Sequence, residues 1–345
     1  MPWFPDFANA IELARRDGRA VGQADPVGQY FTALNNGDTH ALEDVWPGEV
    51  VVYDPRAGEV RGHRQLRRFV RQNREMLAER HTRIQTVATT CVRGRAVVEL
   101  LAHLDTDSEP DVAWPVAVVA ESPDDRSVVF RTYCSQWPVD GRRHLRPPIL
   151  ETGAAVPDDV VGRFQAALAA GDADAIVNTF AADGYLREPI GPHNTHGGAG
   201  ELRSLFTKWF SEGGGIGLQP CAVTDDGVRC AVEYNCVRWG SHDLPPQAGI
   251  GVYERGPDGL LAAARVYDDV EPPMEPDQPK EDPAERKLFA TIKATYALAP
   301  EPEQHAMITE LRHHLPTMSF RERKALIDDI ETAIGRNIEA QELDL

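Results

Sequence analysis

The stretch "YFTALNNGDTHALEDVW", residues 30–46, returns as "RFQAALAAGDADAIVNTF" at residues 163–180. In the first, Tyr30, Phe31 and Leu34 make a helical stripe, Asn36-Gly37 ends it, and Asp38 caps a second short helix through Leu42, Val45 and Trp46. In the second, Phe164, Leu168, Gly171, Asp172, Ile176 and Phe180 take the same parts. Glycine stops a helix cheaply and aspartate starts one by accepting from free N–H groups. The pair is therefore a helix–turn–helix instruction written twice.

Outward from this stretch the shift stays constant: Val27-Gly28 maps to Val161-Gly162, Pro55 to Pro189, Arg95 and Glu99 to Arg229 and Glu233, and Arg131-x-Tyr133 to Arg265-x-Tyr267. A period of about 130 residues means two copies of one domain, not a solenoid. Each copy continues with a short β-run, "VVVYDP" at 50–55 and "YLREP" at 185–189. A third helix follows, from Gly62 to Glu79 and from Gly198 to Ser211. Val-rich strands then complete the copy, in the first at 83–91, 95–104, 112–121 and 127–137. Helices followed by strands specify α+β: helices on one face of a mostly antiparallel sheet.

The expected domains are an N-terminal helical segment at 1–24, the two copies at 25–148 and 149–272, a Pro-rich acidic linker at 273–283, and a helical tail at 284–345. The tail carries Leu288, Ile292 and Tyr296 at i, i+4 spacing. Its last helix opens on Ser319-x-x-Glu322 and lines up Leu326, Ile330, Ile334 and Ile338. "SQWPVDGRRHLRPP" between the copies is expected either to lock one against the other or to cap a pocket mouth with Trp137.

A net charge of −18 argues against nucleic acid and anionic membrane as partners, since both need a basic footprint. Five cysteines without a C-x-x-C pair argue against a disulfide framework or zinc site, and Cys230 and Cys236 read as buried small hydrophobes. No apolar run suits a signal peptide or a bilayer span, so the expected compartment is the cytoplasm. His193-x-x-His196 lacks a third ligand nearby, and no metal is expected. "SEGGGIG" at 211–217 joins helix to strand, the wrong setting for a phosphate loop.

"YFTALNNGDTHALEDVW", "VVYDP" and "RGHRQLRRF" in the first copy, with "RFQAALAAGDADAIVNTF", "YLREP" and "ARVYDD" in the second, resemble the nuclear transport factor 2-like superfamily, specifically its SnoaL-like and ketosteroid isomerase-like branch. The resemblance spans residues 25–140 and 157–272. It implies two tandem cone-shaped α+β barrels, each with three helices on a curved sheet around a dead-end pocket. The implied ligand is a small hydrophobic or polyketide-like molecule, and no cofactor is implied. Pairing of such domains through their sheets implies a pseudo-dimer within the chain. A homo-oligomer through sheet faces or C-terminal helices remains open.

Alternation along the last strand puts Arg265, Tyr267 and Asp269 on one face. Asp269 as base, Tyr267 as donor to a developing oxyanion, and Arg265 with Glu233 as orienting groups would support isomerisation, cyclisation, dehydration or epoxide opening. Asn235, Gln247 and Glu188 are expected to line the substrate site of the second copy. Asp54, His103, Trp114 and Tyr133 are the candidates for a cavity in the first. The alternative at these positions is a fold feature, with Arg265 paired to Glu233 as Arg131 would be to Glu99. The corresponding alternative function is a non-catalytic ligand-binding or interaction module that docks through the tail.

Overall fold

The computed structural model describes residues 47–79, 83–106, 109–124, 126–140, 143–211 and 213–270. The 1–24 segment, the first copy's two opening helices, the linker at 273–283 and the tail helices lie outside these residues.

The recurrent Gly-Asp pair acts in the second copy as its chemistry dictates. After α1 (Gly62–Glu79) of the first copy and a single helical turn at Trp137–Asp140, helix α2 (Val160–Ala170) starts at Asp159, whose carboxylate accepts from the Val161 amide, and ends at Gly171 with φ 73°. A Cβ at Gly171 would lie 2.4 Å from the Gly214 carbonyl oxygen, so glycine is required by space as well as by conformation. Asp172 then accepts from the Ala175 amide to open α3 (Ala173–Val177). The third helix of the copy, α4, covers Gly198–Trp209. Arg255 grips Asp159 at 2.7 Å and ties the start of α2 to the sheet.

The first sheet contains β1 (Val50–Asp54), β2 (Gly58–Arg61), β3 (Arg83–Val92), β4 (Arg95–Thr106), β5 (Glu109–Asp124) and β6 (Ser127–Tyr133), in the order β2-β1-β6-β5-β4-β3. The second contains β7 (Phe180–Arg187), β8 (Thr195–Gly197), β9 (Gly215–Asp225), β10 (Arg229–Gly240), β11 (His242–Arg255) and β12 (Leu261–Tyr267), in the order β8-β7-β12-β11-β10-β9. Both are mixed sheets. The β1–β6 and β7–β12 pairs are parallel and the remaining ladders antiparallel. The α+β reading therefore holds, with one parallel contact per copy that alternation alone does not reveal. The last strand of the first copy stops at Tyr133 instead of running to 137, because Ser135 and Gln136 turn to hydrogen-bond Asp269.

Each sheet has two buried faces, and they do different things. One face of the second sheet packs against its helices through Cys230, Val232, Tyr234, Cys236, Tyr253 and Ala264. Phe164 sits at the centre of this interior, with ring centroids 5.3 Å from Tyr253 and 5.8 Å from Phe180. The opposite face meets the first sheet: Val97, Ala117, Val119 and Tyr133 pack against Ala231, Ala248, Ile250, Val252 and Tyr267. The two copies form one compact unit through their sheets, as the pseudo-dimer expectation required. The sheet face considered for a homo-oligomer is here covered by the other copy.

Candidate functional site

The expected pairing of Arg265 with Glu233, and of Arg131 with Glu99, is overturned: the pairs cross between copies. Arg265 donates to Glu99 from Nε at 2.6 Å and Nη2 at 2.9 Å, and the Tyr267 hydroxyl adds a third bond at 2.7 Å. Arg131 donates to Glu233 from Nε at 2.5 Å and Nη2 at 2.9 Å, and Tyr133 adds its hydroxyl at 2.8 Å. Glu99 and Glu233 are both buried, so each carboxylate is held by three charge-assisted or phenolic bonds with little access to water. Burial and the neighbouring carboxylate push both phenols well above their ordinary range.

Asp269 belongs to the same seam. It accepts from Ser135 Oγ at 2.7 Å, from the Gln136 amide at 3.1 Å and from the His144 amide at 2.6 Å. The basic connector supplies more of the seam, with Arg143 donating to the Val270 carbonyl and the Arg146 carbonyl accepting from Ala248. The expectation that it locks the copies together is met. Burial raises the Asp269 carboxyl to about 6, against the lowering effect of its hydrogen bonds.

A carboxyl whose folded pKa exceeds its unfolded value stabilises most fully below the unfolded value, and that contribution is lost as pH rises through about 6. Asp269→Asn can keep all three contacts if the Ser135 hydroxyl reverses. We expect its stability relative to wild type to be level near pH 4 and to rise by up to about 3 kcal/mol above pH 6. Urea titrations across that window check the slope; a difference flat in pH would refute the assignment.

The other expected residues separate. Asn235 faces the seam and donates to the Leu150 carbonyl at 3.3 Å. His103 lies along β4 on the face of Glu99, opposite Ala113. Asp54 shapes a turn, accepting from the Arg56 and Ala57 amides. Trp114 is buried and donates to the Ser135 carbonyl. Asp54, His103, Trp114 and Tyr133 therefore do not converge on one cavity.

Gln247 and Glu188 do face the interior of the second copy, together with residues that sequence reading did not place there. Asp268 is one residue from Asp269 and on the opposite face, where the Tyr234 hydroxyl donates to its Oδ2 at 2.6 Å. Burial pushes the Asp268 carboxyl up against the pull of Tyr234 and Arg143, and the Glu188 charge pushes it further. Glu188 Oε1 lies 2.7 Å from His196 Nε2. His196 sits opposite Leu186, a residue of the helix-facing core, so this pair belongs to the same interior. Gln247 is 4% exposed, stands opposite Cys236, and its Oε1 has no hydrogen-bond partner.

Glycine makes the room. A Cβ at Gly249 would lie 2.7 Å from the Tyr234 ring and 2.8 Å from the Asp268 Cβ. We expect Gly249→Ala to displace this pair and cost about 1–3 kcal/mol, read from the urea midpoint. An unchanged midpoint and an unchanged tyrosine environment would show that the interior yields freely.

The first copy is built differently at the matching places. Ala117 stands opposite Glu99 and Ile250 opposite Glu233, so the counterpart of Gln247 is Trp114. By the same register Leu100 matches Tyr234, Cys134 matches Asp268, and Val116 matches Gly249. An indole and a valine fill the space that the second copy leaves to a carboxyl, a phenol and an amide.

Comparison with known proteins gives the family setting. The model for the SnoaL-like domain matches residues 27–142 and 161–264. No curated protein sequence matches the chain. Similar solved structures include an NTF2-like protein of unknown function from Cytophaga hutchinsonii at 16% identity, covering 34% of this chain and 93% of that one, with a TM-score of 0.26. A candidate polyketide cyclase from Sinorhizobium meliloti is 22% identical over 32% of this chain and 94% of its own, TM-score 0.26. An epoxide hydrolase/cyclase-like enzyme of pyran ring formation in the polyether salinomycin is 21% identical over 31% and 86%, TM-score 0.27. Among the described residues no helix is long and apolar enough to cross a membrane.

Proposed function

We infer, for a chain that belongs to the SnoaL-like domain family, that the second copy binds a small, largely apolar molecule and performs acid–base chemistry on it with Asp268 as the proton carrier. The observation that carries this reading is the pairing of the half-buried Asp268 with the buried Tyr234 on the helix-facing side of the second sheet, where the first copy has Cys134 and Leu100. A carboxyl pushed up by burial takes and returns a proton closer to neutral pH than an exposed one. Tyr234 orients that carboxyl with its single O–H, which can turn to a developing oxyanion once the carboxyl has taken the proton. Gln247 Oε1 needs a donor, which a substrate hydroxyl would supply. The aromatic wall of Phe164, Phe206, Trp209 and Tyr253 favours a neutral apolar body.

Isomerisation, cyclisation, dehydration and epoxide opening all fit one half-buried carboxyl and one phenol without a cofactor. The first copy acts in this reading as the partner that fixes the second sheet from behind. A binding module without turnover is favoured by the closeness of the aromatic packing, and one experiment separates the two. Purified protein is examined by native mass spectrometry for retained small molecules. It is then incubated with neutral epoxides, β-hydroxy ketones and β,γ-unsaturated ketones in D2O and followed by NMR. Turnover that Asp268→Asn abolishes supports the enzyme; retention or binding without turnover supports the module; neither binding nor turnover overturns the interior site.

A further inference from the structure

We propose that Arg187 is the anchor of a second ligand site, outside the cone interior, that takes the carboxylate of a small molecule. Arg187 is the last residue of β7 and lies directly beside Arg265 of β12, on the seam face of the sheet. It is 6% exposed, and neither Nε nor Nη2 has a hydrogen-bond acceptor. Its guanidinium carbon stacks over the Tyr267 ring, 5.0 Å from the centroid, which fixes the plane of the group.

Two other arginines of the seam show what these donors are for. Arg131 and Arg265 use the same two atoms, Nε and Nη2, to grip Glu233 and Glu99 as a planar fork. The cation stacked on the matching phenol of the first copy is Arg146, 4.8 Å from the Tyr133 centroid, and it is satisfied by the Thr132 and Tyr53 carbonyls. Arg187 replaces Tyr53 in the register and has the fork without the acceptor. A buried guanidinium facing no acceptor is strongly unfavourable, and the acceptor that matches this edge in both width and charge is a carboxylate. Arg265 alongside adds positive potential, though its own charge is spent on Glu99 and Glu254. Thr195, opposite Arg187 on β8, is exposed on the same face and marks the approach from solvent.

The test uses the full chain, with acetate and benzoate as probes, inorganic phosphate as the tetrahedral comparison, and chloride at matched ionic strength as control. A saturable rise in melting temperature with the carboxylates over chloride is expected in the wild type. Arg187→Lys should weaken the apparent affinity about tenfold or more, since a point charge replaces a planar fork. The Arg187 Nε–H resonance should move with acetate, a readout that needs no variant to fold. The assignment is overturned by an absence of saturable response in the wild type, by an equal response in Arg187→Lys, or by a response to phosphate without one to carboxylates.

Discussion

Replacing Glu99 with leucine should destabilise the chain by about 3–5 kcal/mol, because it leaves a buried arginine without its anion. Arg265 would retain only its longer contact to Glu254, at 3.1 Å, together with a marginal bond to Tyr185 at 3.3 Å. The Tyr267 hydroxyl, fully buried, would lose the acceptor that holds it. Glu233→Leu should do the same to Arg131 and Tyr133, since the two clusters are built alike. The companion variant decides the interpretation. Glu99→Leu combined with Arg265→Met removes both charges and should recover a large part of the loss, because the cost lies in the uncompensated ion more than in the missing attraction. Urea unfolding of the single and double variants completes the cycle. A single variant within about 1 kcal/mol of wild type would mean that water reaches the seam and that the crossed pairs are surface-like.

The crossing of these pairs shows where sequence reading stops. A duplicated Arg and Glu on facing positions of one sheet can pair within a copy or across a two-fold relation between copies, and the sequence is the same in both cases. The repeat itself, the α+β class, the third helices and most strand limits followed from caps, breakers and alternation, because those signals are local. Cys230 and Cys236 were legible as buried apolar residues for the same reason. The parallel β1–β6 and β7–β12 contacts were not, since they join strands from opposite ends of a copy. Alternation also separated the two faces of β12 correctly while leaving open which one the helices cover. The constant repeat offset hid one further fact: between β4 and β5 the copies slip by one residue relative to β10 and β11, so Gln247 answers to Trp114. A one-residue slip exchanges the faces of a strand.

Asp268 and Asp269 turn that exchange into a contrast within two adjacent residues. Asp268 faces the helices and Tyr234, whereas Asp269 faces the seam with Ser135 and the connector amides. If the interior is the reactive site, Asp268→Asn should slow turnover by about 10²–10⁴-fold, the usual worth of a positioned acid or base. The loss should fall on kcat, because the amide keeps the shape and can still accept from Tyr234. Asp269→Asn should leave kcat within about twofold, since it faces away from the helix-covered side of the sheet, and should appear in the pH dependence of stability instead. Tyr234→Phe should sit between the two, keeping the carboxyl but releasing its orientation and the hydroxyl beside it. The pH profile adds a separate check. Burial and Glu188 hold the Asp268 carboxyl high, so a base-dependent rate should climb at a higher pH than an exposed aspartate would give. Glu188→Gln removes one of the charges that raise it, and should move the climb to lower pH. The reverse pattern, with Asp269→Asn inactive and Asp268→Asn intact, would place the chemistry at the seam between the sheets and turn the helix-facing interior into packing alone.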